Sequence, residues 1–131
     1  MSNILTVRGI VVGHGNIPEG LLDAVRRIAG DQSEGLTAIS NSGLSVEDLK
    51  IKLDAVSGSD PTIMFTDLLV GSGGIAAAYS CRNTTERIVV SGVNLPMLLE
   101  FIFHRDLPLN ELAERVADTG REAIRCSSAD I

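Results

Sequence analysis

Two kinds of hydrophobic pattern alternate along the chain. Four short runs rich in β-branched residues, bounded by glycine, proline or charged residues, predict buried β-strands. These runs are 4–14 (ILTVRGIVVGH), 35–40 (GLTAIS), 60–67 (DPTIMFTD) and 86–92 (ERIVVSG). Between and after them lie segments with helical periodicity or with helix-start signals. These segments are 18–30, 45–58, 71–82, 94–105 and 107–125.

Local signals mark where several of the helices begin and end. Pro18 and Pro96 are placed where a first helical turn tolerates proline, and Gly30 is expected to close the first helix. Ser45, with Asp48 three residues later, is a candidate N-cap for the second. The end of the chain is ambiguous, because EAIRCSS (122–128) alternates weakly and is also compatible with a short strand.

Strands that alternate with helices over short connections are typical of an α/β fold. We therefore predict an open, mainly parallel four-stranded sheet with helices on both faces, built as a single domain over residues 1–131. Aromatic residues make up 3% of the chain and tryptophan is absent, so the core must consist of aliphatic side chains. Aliphatic cores of this kind suit buried parallel strands.

Net charge argues against one class of partner. The formal net charge is −6 and the sequence pI is about 4.8, which disfavours binding to nucleic acid through phosphate neutralisation. A basic protein partner fits this charge better, because complementary fields steer association.

Cysteine usage and the absence of targeting signals indicate a cytoplasmic protein. Cys81 and Cys126 lack the spacing of metal ligands and are too few for a disulfide framework, so we interpret them as free thiols. The start of the chain, MSNILTVRG, reads as a strand and not as a signal peptide. No segment approaches the roughly 20 apolar residues of a membrane span.

A histidine and an aspartate follow two of the predicted strands. His14 ends the first strand between Gly13 and Gly15, and Asp67 ends the third. Ligands of open α/β sheets bind beyond the carboxyl ends of the strands, so neighbouring strands would bring these side chains together. A carboxylate that binds one imidazole nitrogen leaves the other nitrogen unprotonated and nucleophilic. The two glycines would keep side chains away from His14 so that a partner can approach.

The glycine-rich turn after Asp67 adds a candidate anion site. LLVGSGG (68–74) leads into a helix, whose free backbone N–H groups favour an anion, and Ser72 offers a hydroxyl. Together with a nucleophilic imidazole, these groups suit the acceptance of a phosphoryl group. Alone, the turn is weak evidence, because it fits neither of the common glycine-rich nucleotide motifs.

The second histidine has a structural explanation. His104 and Arg105 lie near the end of a predicted helix, where the dipole favours cationic side chains. We therefore do not predict a catalytic role for His104.

Four stretches of the sequence resemble a known family in order and in spacing. The family is the IIA domain of the mannose/fructose/sorbose-type sugar phosphotransferase system, and the likeness extends from about residue 4 to residue 125. The stretches are GIVVGHGNIPEGLLDAVRRIAG, FTDLLVGSGGIAAA, VVSGVNLPMLLE and ADTGREAI.

The resemblance implies a fold, a reaction and partners. Members of the family form homodimers in which a C-terminal strand, here located after Gly120, crosses into the partner's sheet. They accept a phosphoryl group from the histidine phosphocarrier protein HPr and pass it to a IIB domain that phosphorylates a sugar. The resemblance implies no metal and no organic cofactor. It associates the chain with a membrane only indirectly, through the permease complex.

The resemblance also assigns roles to single residues. His14 matches the phosphorylated histidine and Asp67 matches its orienting acid. Gly71 and Ser72 match the second glycine and the serine of the D-x-x-G-G-S-P turn of the family. We expect Gly15, Gly71 and Ser72 to bind the phosphoryl group.

This sequence departs from the family pattern within that turn. Val70 replaces the first glycine, Gly73 the proline and Ile75 an asparagine, while Leu68 lacks the hydroxyl that some members carry. The changes remove a close backbone approach at residue 70 and the stiffness of a proline at residue 73.

Three possibilities remain open at this point. In the first, a separate IIB protein accepts the phosphoryl group for sugar uptake, since the sequence printed here carries no IIB domain. In the second, the chain is a regulatory module whose phosphorylation state is read by a partner protein. In the third, the changes in the turn leave the chain a scaffold that is not phosphorylated.

Overall fold

The computed structural model describes residues 6–128. Its strands are β1 (Arg8–Gly13), β2 (Leu36–Ser40), β3 (Thr62–Thr66) and β4 (Arg87–Ser91). Its helices are α1 (Ile17–Ala29), α2 (Val46–Ser57), α3 (Ser72–Ser80), α4 (Leu95–Ile102) and α5 (Leu109–Glu122). A short 3₁₀ turn over Gly30–Ser33 follows α1.

The four strands form one sheet in the order β2-β1-β3-β4, and every pair is parallel. The predicted α/β fold with a parallel four-stranded sheet is therefore confirmed. β1 and β3 are central neighbours, and Val12 stands opposite Thr66 at their carboxyl ends. The loops after these two strands consequently leave the sheet side by side.

Helices cover both faces of the sheet, and each face has its own aliphatic core. Along β1, Val11 belongs to the core shared with α1, α4 and α5, while Ile10 and Val12 belong to the core shared with α2 and α3. This alternation is expected for a strand buried on both faces. The first core also contains an edge-to-face pair between Phe65 and Phe101, whose ring centroids are 5.4 Å apart.

Two side chains cap helices as their positions require. The Ser45 hydroxyl accepts a hydrogen bond from the Asp48 amide at 3.1 Å, so the predicted cap of α2 is present. Asn94 caps α4 in the same way by accepting from the Met97 amide at 3.1 Å.

The limits of several predicted elements differ from the structure. The first strand was expected from residue 4, but β1 begins at Arg8, because Val7 bonds through its amide to the Arg105 carbonyl and not to a strand. Residues 4 and 5 lie outside the described residues. The third and fourth helices end at Ser80 and Ile102, before the predicted residues 82 and 105.

The C-terminal segment does not form the short strand that the weak alternation over residues 122–128 allowed. α5 continues through Gly120 to Glu122, and Gly120 packs against α4, since a Cβ there would lie 2.5 Å from Met97 Cε. Residues 124–128 form no strand, and residues 129–131 lie outside the described residues. The crossed C-terminal strand remains a prediction. No helix within residues 6–128 has the length and apolar character to span a bilayer.

Candidate active site

His14 and Asp67 meet at the carboxyl end of the sheet. His14 directly follows β1 and Asp67 directly follows β3, the two central strands. The structure thus brings together the two side chains that the strand-end rule pairs. Their separation of 53 positions in sequence is closed by the parallel pairing of β1 with β3.

The Asp67 carboxylate holds both the backbone and the ring of His14. Its Oδ2 accepts one hydrogen bond from the His14 amide at 2.9 Å and another from Nδ1 of the imidazole at 2.8 Å. Its Oδ1 accepts from the Leu68 amide at 2.9 Å. Partial burial raises the pKa of the Asp67 carboxyl, but the hydrogen bonds from His14 and Leu68 outweigh this effect and leave the pKa below its ordinary value.

An ionised Asp67 sets the tautomer of the imidazole. A carboxylate can only accept hydrogen bonds, so in the neutral imidazole of His14 the proton is on Nδ1 and the lone pair is on Nε2. Within residues 6–128, Nε2 contacts no hydrogen-bonding group. The His14 side chain is 48% exposed, whereas that of Asp67 is 13% exposed. The ring that carries this lone pair is therefore accessible to solvent and is held in place through Nδ1.

Gly71 lies against the imidazole. A Cβ at this position would be 3.3 Å from Cε1 of His14 and 3.6 Å from Nε2, and the backbone has a φ of 114° that favours glycine. Gly71 is also the N-cap residue of α3, and no side chain caps this helix. The unpaired N–H groups of the first helical turn consequently begin beside Nε2.

The two glycines that flank His14 have different roles. A Cβ at Gly13 would lie 2.8 Å from the carboxyl carbon of Asp67, so this glycine makes room for the carboxylate. The interpretation that Gly13 clears a path for a partner is therefore corrected. Gly15 has a φ of 53° and open space around its Cα, as a turn residue next to an accessible ring should have.

Ser72 is the first residue of α3, and its hydroxyl is engaged by a residue that the sequence did not single out. The Asn41 amide group donates from Nδ2 to Oγ of Ser72 at 3.0 Å. Asn41 follows β2, which pairs with the other side of β1, so its loop reaches the same end of the sheet. Its only sequence signal is that position after a predicted strand.

The second histidine is remote from this end of the sheet. Nε2 of His104 lies 3.2 Å from the Glu100 carboxylate, which Arg115 also binds at 2.7 Å, so the cluster connects α4 to α5. The adjacent Arg105 contacts the Val7 carbonyl ahead of β1, at the amino end of the strand. In the described part of the chain, three or more His, Cys, Asp or Glu side chains nowhere cluster as metal ligands would.

Comparison with known proteins identifies the family. The sequence model of the family described as "PTS system fructose IIA component" (EIIA-man) matches residues 9–119. The mannose-specific EIIAB component of the phosphotransferase system (PTS) of Escherichia coli K12 is 25% identical over 131 residues. That match covers 95% of this chain and 41% of the curated relative, so the chain spans about two fifths of that protein.

Solved structures share the fold over almost their whole length. A PTS component EIIA from Streptococcus agalactiae is 30% identical, with a TM-score of 0.83, and the alignment covers 92% of this chain and 96% of that one. The mannose/sorbose-specific IIA subunit from Enterococcus faecalis is 22% identical, with a TM-score of 0.85 and coverage of 97% and 98%, which shows the shared fold. This chain therefore belongs to the mannose-type family of IIA components of the sugar phosphotransferase system.

Proposed function

We propose that this chain is a phosphoryl carrier. It accepts a phosphoryl group from HPr onto Nε2 of His14 and passes it to a separate IIB protein for sugar uptake. The observation that carries the proposal is the hydrogen bond between Nδ1 of His14 and ionised Asp67, because it leaves a lone pair on the exposed Nε2. Membership of the IIA family supplies the donor and acceptor classes.

The transfer exchanges one phosphorus–nitrogen bond for another. The bond between phosphorus and the imidazole nitrogen of the donor breaks, and that nitrogen keeps the electron pair. A new bond forms between phosphorus and Nε2 of His14, which makes the His14 ring cationic. The Asp67 carboxylate stabilises that charge by accepting a hydrogen bond from Nδ1–H of His14. The imidazole proton stays on Nδ1. Transfer to the acceptor runs through the same steps in reverse.

We place the oxygens of the transferred phosphoryl group at the start of α3. The N–H groups of the first turn and the Ser72 hydroxyl can donate to them, and Gly71 leaves the space beside Nε2 free. Gly15, with open space around it, permits approach from the other side. Gly73 faces β1, and a Cβ there would be in van der Waals contact with Cγ2 of Val12 at 3.4 Å.

An exposed apolar surface next to His14 supports docking of a protein. Leu68, Leu69 and Val70 follow Asp67 directly and are 53%, 70% and 72% exposed. Ile17, whose amide donates to the His14 carbonyl, is also exposed. Clustered exposed apolar side chains mark interaction sites on monomers, and a phosphoryl donor that is itself a protein needs such a surface.

The free edge of β4 supports the proposed homodimer. β4 is the last strand of the sheet, and a groove of about 730 Å³ runs between it and α5, lined in part by Val89, Met97 and Ile124. An added strand there would satisfy the unpaired edge. We propose that residues after Glu122 of a second copy supply it. The proposed partners act in the cytoplasm, and we propose the same location for this chain.

A phosphorylation assay tests the carrier function. The protein is incubated with phosphoenolpyruvate, enzyme I and HPr, and intact mass is measured for an acid-labile phosphate. Wild type and His104→Ala should each gain one phosphate, and His14→Ala should gain none. These two variants are matched because the chain contains 2 histidines. Labelling of His14→Ala at the wild-type rate would contradict the site.

Transfer onward is measured separately. The phosphorylated protein is mixed with a purified mannose-type IIB protein, and the label on both chains is followed with time. Loss of phosphate from this chain with equal gain on IIB is the expected result. Retention of the phosphate in the presence of an active IIB would contradict the carrier function while leaving the acceptor histidine intact.

A further inference from the structure

Asn41 is fixed at the end of β2 before any partner binds. Its amide donates to the Gly13 carbonyl at 2.9 Å, and its carbonyl accepts from the Leu44 amide at 3.1 Å. The side chain is partly buried, and its Nδ2 donates to Oγ of Ser72 at 3.0 Å. One residue therefore bonds both to the strand end that presents His14 and to the first residue of α3.

The bond from Asn41 determines what the Ser72 hydroxyl can do. A hydroxyl has one proton to donate and two lone pairs to accept with. The Asn41 nitrogen has no lone pair to offer, so Ser72 can only accept from it and must direct its own proton elsewhere. In residues 6–128 that proton meets no acceptor. Ser72 is thereby left as a donor without a partner.

Ser72 follows the residue that lies against the edge of the imidazole to which a phosphoryl group would bind. Ser72 directly follows Gly71, which lies against the ring edge that carries Nε2 of His14. Charge on a transferring phosphoryl group is spread over its oxygens, and donors fixed in advance stabilise it most effectively. A donor whose orientation is set by a neighbouring amide needs no reorganisation during the reaction.

We infer that Asn41 is a positioning residue for phosphoryl transfer, because its amide holds the Ser72 hydroxyl as a donor toward a phosphoryl group on Nε2 of His14. The inference rests on the proposed carrier function. It assigns Asn41 no contact with HPr and no direct role in bond formation. Its effect should therefore appear in the turnover of the bound complex and not in the affinity for HPr.

Two substitutions at residue 41 test the direction of the hydrogen bond. Asn41→Ala removes the donor, and Asn41→Asp replaces it with a group that can only accept and would take the Ser72 proton. The rate of phosphorylation is measured over a range of phosphorylated HPr concentrations. We expect Asn41→Ala to lower turnover by about tenfold and Asn41→Asp to lower it further. The apparent KM for HPr should change by less than about twofold.

A double-mutant cycle with Ser72→Ala separates positioning from general structure. In the Ser72→Ala background, Asn41→Ala should cause no further loss, because the hydroxyl that it orients is absent. A purely structural role would lower turnover equally in both backgrounds. Ser42→Ala is the matched control, since the Ser42 hydroxyl is exposed and bonds only to Ser40 in this loop.

The outcomes distinguish this inference from the carrier function. If wild type and Ser42→Ala are labelled and both Asn41 variants turn over at the wild-type rate, the inference is wrong and the carrier function stands. Equal losses in both Ser72 backgrounds also overturn it. If wild type with active HPr is not labelled at all, both proposals fail. Thermal unfolding of each variant confirms that the compared proteins are folded.

Discussion

Two aspartates in this molecule use the same chemistry for different ends. Asp67 accepts three hydrogen bonds beyond β3, and Asp54 of α2 accepts three from Lys50, Ser80 and Arg87. For Asp54, burial raises the pKa, but hydrogen bonds from Lys50 and Ser80 and the nearby cations outweigh it, so this pKa also lies below its ordinary value. Both carboxyls are therefore ionised at neutral pH.

The two aspartates differ in the groups that they bind and in how these groups are exposed. Arg87 donates from Nη1 to Asp54 and to the Ser80 carbonyl, and from Nη2 to the Gly58 carbonyl. This cluster joins α2, α3 and β4, and the side chains of Arg87, Asp54 and Lys50 are 16%, 34% and 43% exposed. Within residues 6–128, Nε2 of His14 has no hydrogen-bond partner, and the side chain is 48% exposed. In one region the ion pair joins three elements of the fold, and in the other it holds a ring whose second nitrogen has no partner in the described residues.

Replacing the acid at the site should have the largest effect. Asp67→Asn keeps the size of the side chain but has only one accepting oxygen. In wild type, one carboxylate oxygen accepts both bonds from His14 and the other accepts the bond from the Leu68 amide, so asparagine cannot accept all three. The tautomer is then no longer set. We expect phosphorylation by HPr to slow by about a hundredfold, the lower end of the range for losing one electrostatic contact to charge that develops in the transition state. Rapid-quench labelling measures it, and an unchanged rate would remove Asp67 from the mechanism.

A methyl group behind the carboxylate should disturb the same pair. Gly13→Ala places a Cβ 2.8 Å from the Asp67 carboxyl carbon, so the carboxylate must move away from His14. We expect a loss of about 1–3 kcal/mol in the free energy of unfolding, measured with urea, together with slower labelling.

Gly20→Ala is the matched control for that substitution. Gly20 lies inside α1, and a Cβ there has open space. Alanine should therefore stabilise the protein by about 0.5–1 kcal/mol. If the two variants had equal stability, the tight packing at Gly13 would be refuted.

Replacing Asp54 should lower stability without changing the labelling rate. Asp54→Asn weakens the bonds to Lys50 and Arg87, both partly exposed, and should lower the free energy of unfolding by about 1–2 kcal/mol. The labelling rate should equal that of wild type, because the cluster does not contact His14. A large loss of labelling in a folded Asp54→Asn protein would show that the two regions are coupled.

Acid should weaken the contribution of both aspartates, with the smallest effect of the four. A folded pKa below the ordinary value of 3.8 contributes stability that is present above that value and is lost as pH falls through the folded pKa. The stability difference between wild type and Asp54→Asn should therefore be constant near neutral pH and shrink below the ordinary value. Urea unfolding at several pH values measures it. A difference that grew on acidification would have the wrong sign.

Periodicity and the strand-end rule predicted the fold and the meeting of His14 with Asp67, because both depend on short-range pattern and on a general property of parallel sheets. They could not predict Asn41 with Ser72. That contact requires β2 to pair with β1 and the loop after β2 to turn toward α3, and hydrophobic pattern encodes neither. The role of Gly13 was missed for a related reason, since it depends on a distance across two strands.

The two bonds from one carboxylate oxygen to the amide and the ring of His14 have a further consequence for association. A residue that is hydrogen-bonded through both its backbone amide and its ring loses rotational freedom when the protein folds. A partner that docks on it then avoids an ordering cost of about 0.5–1.5 kcal/mol for that side chain. The imidazole is thus oriented before a partner docks, and the proposed phosphoryl transfer would begin from that orientation.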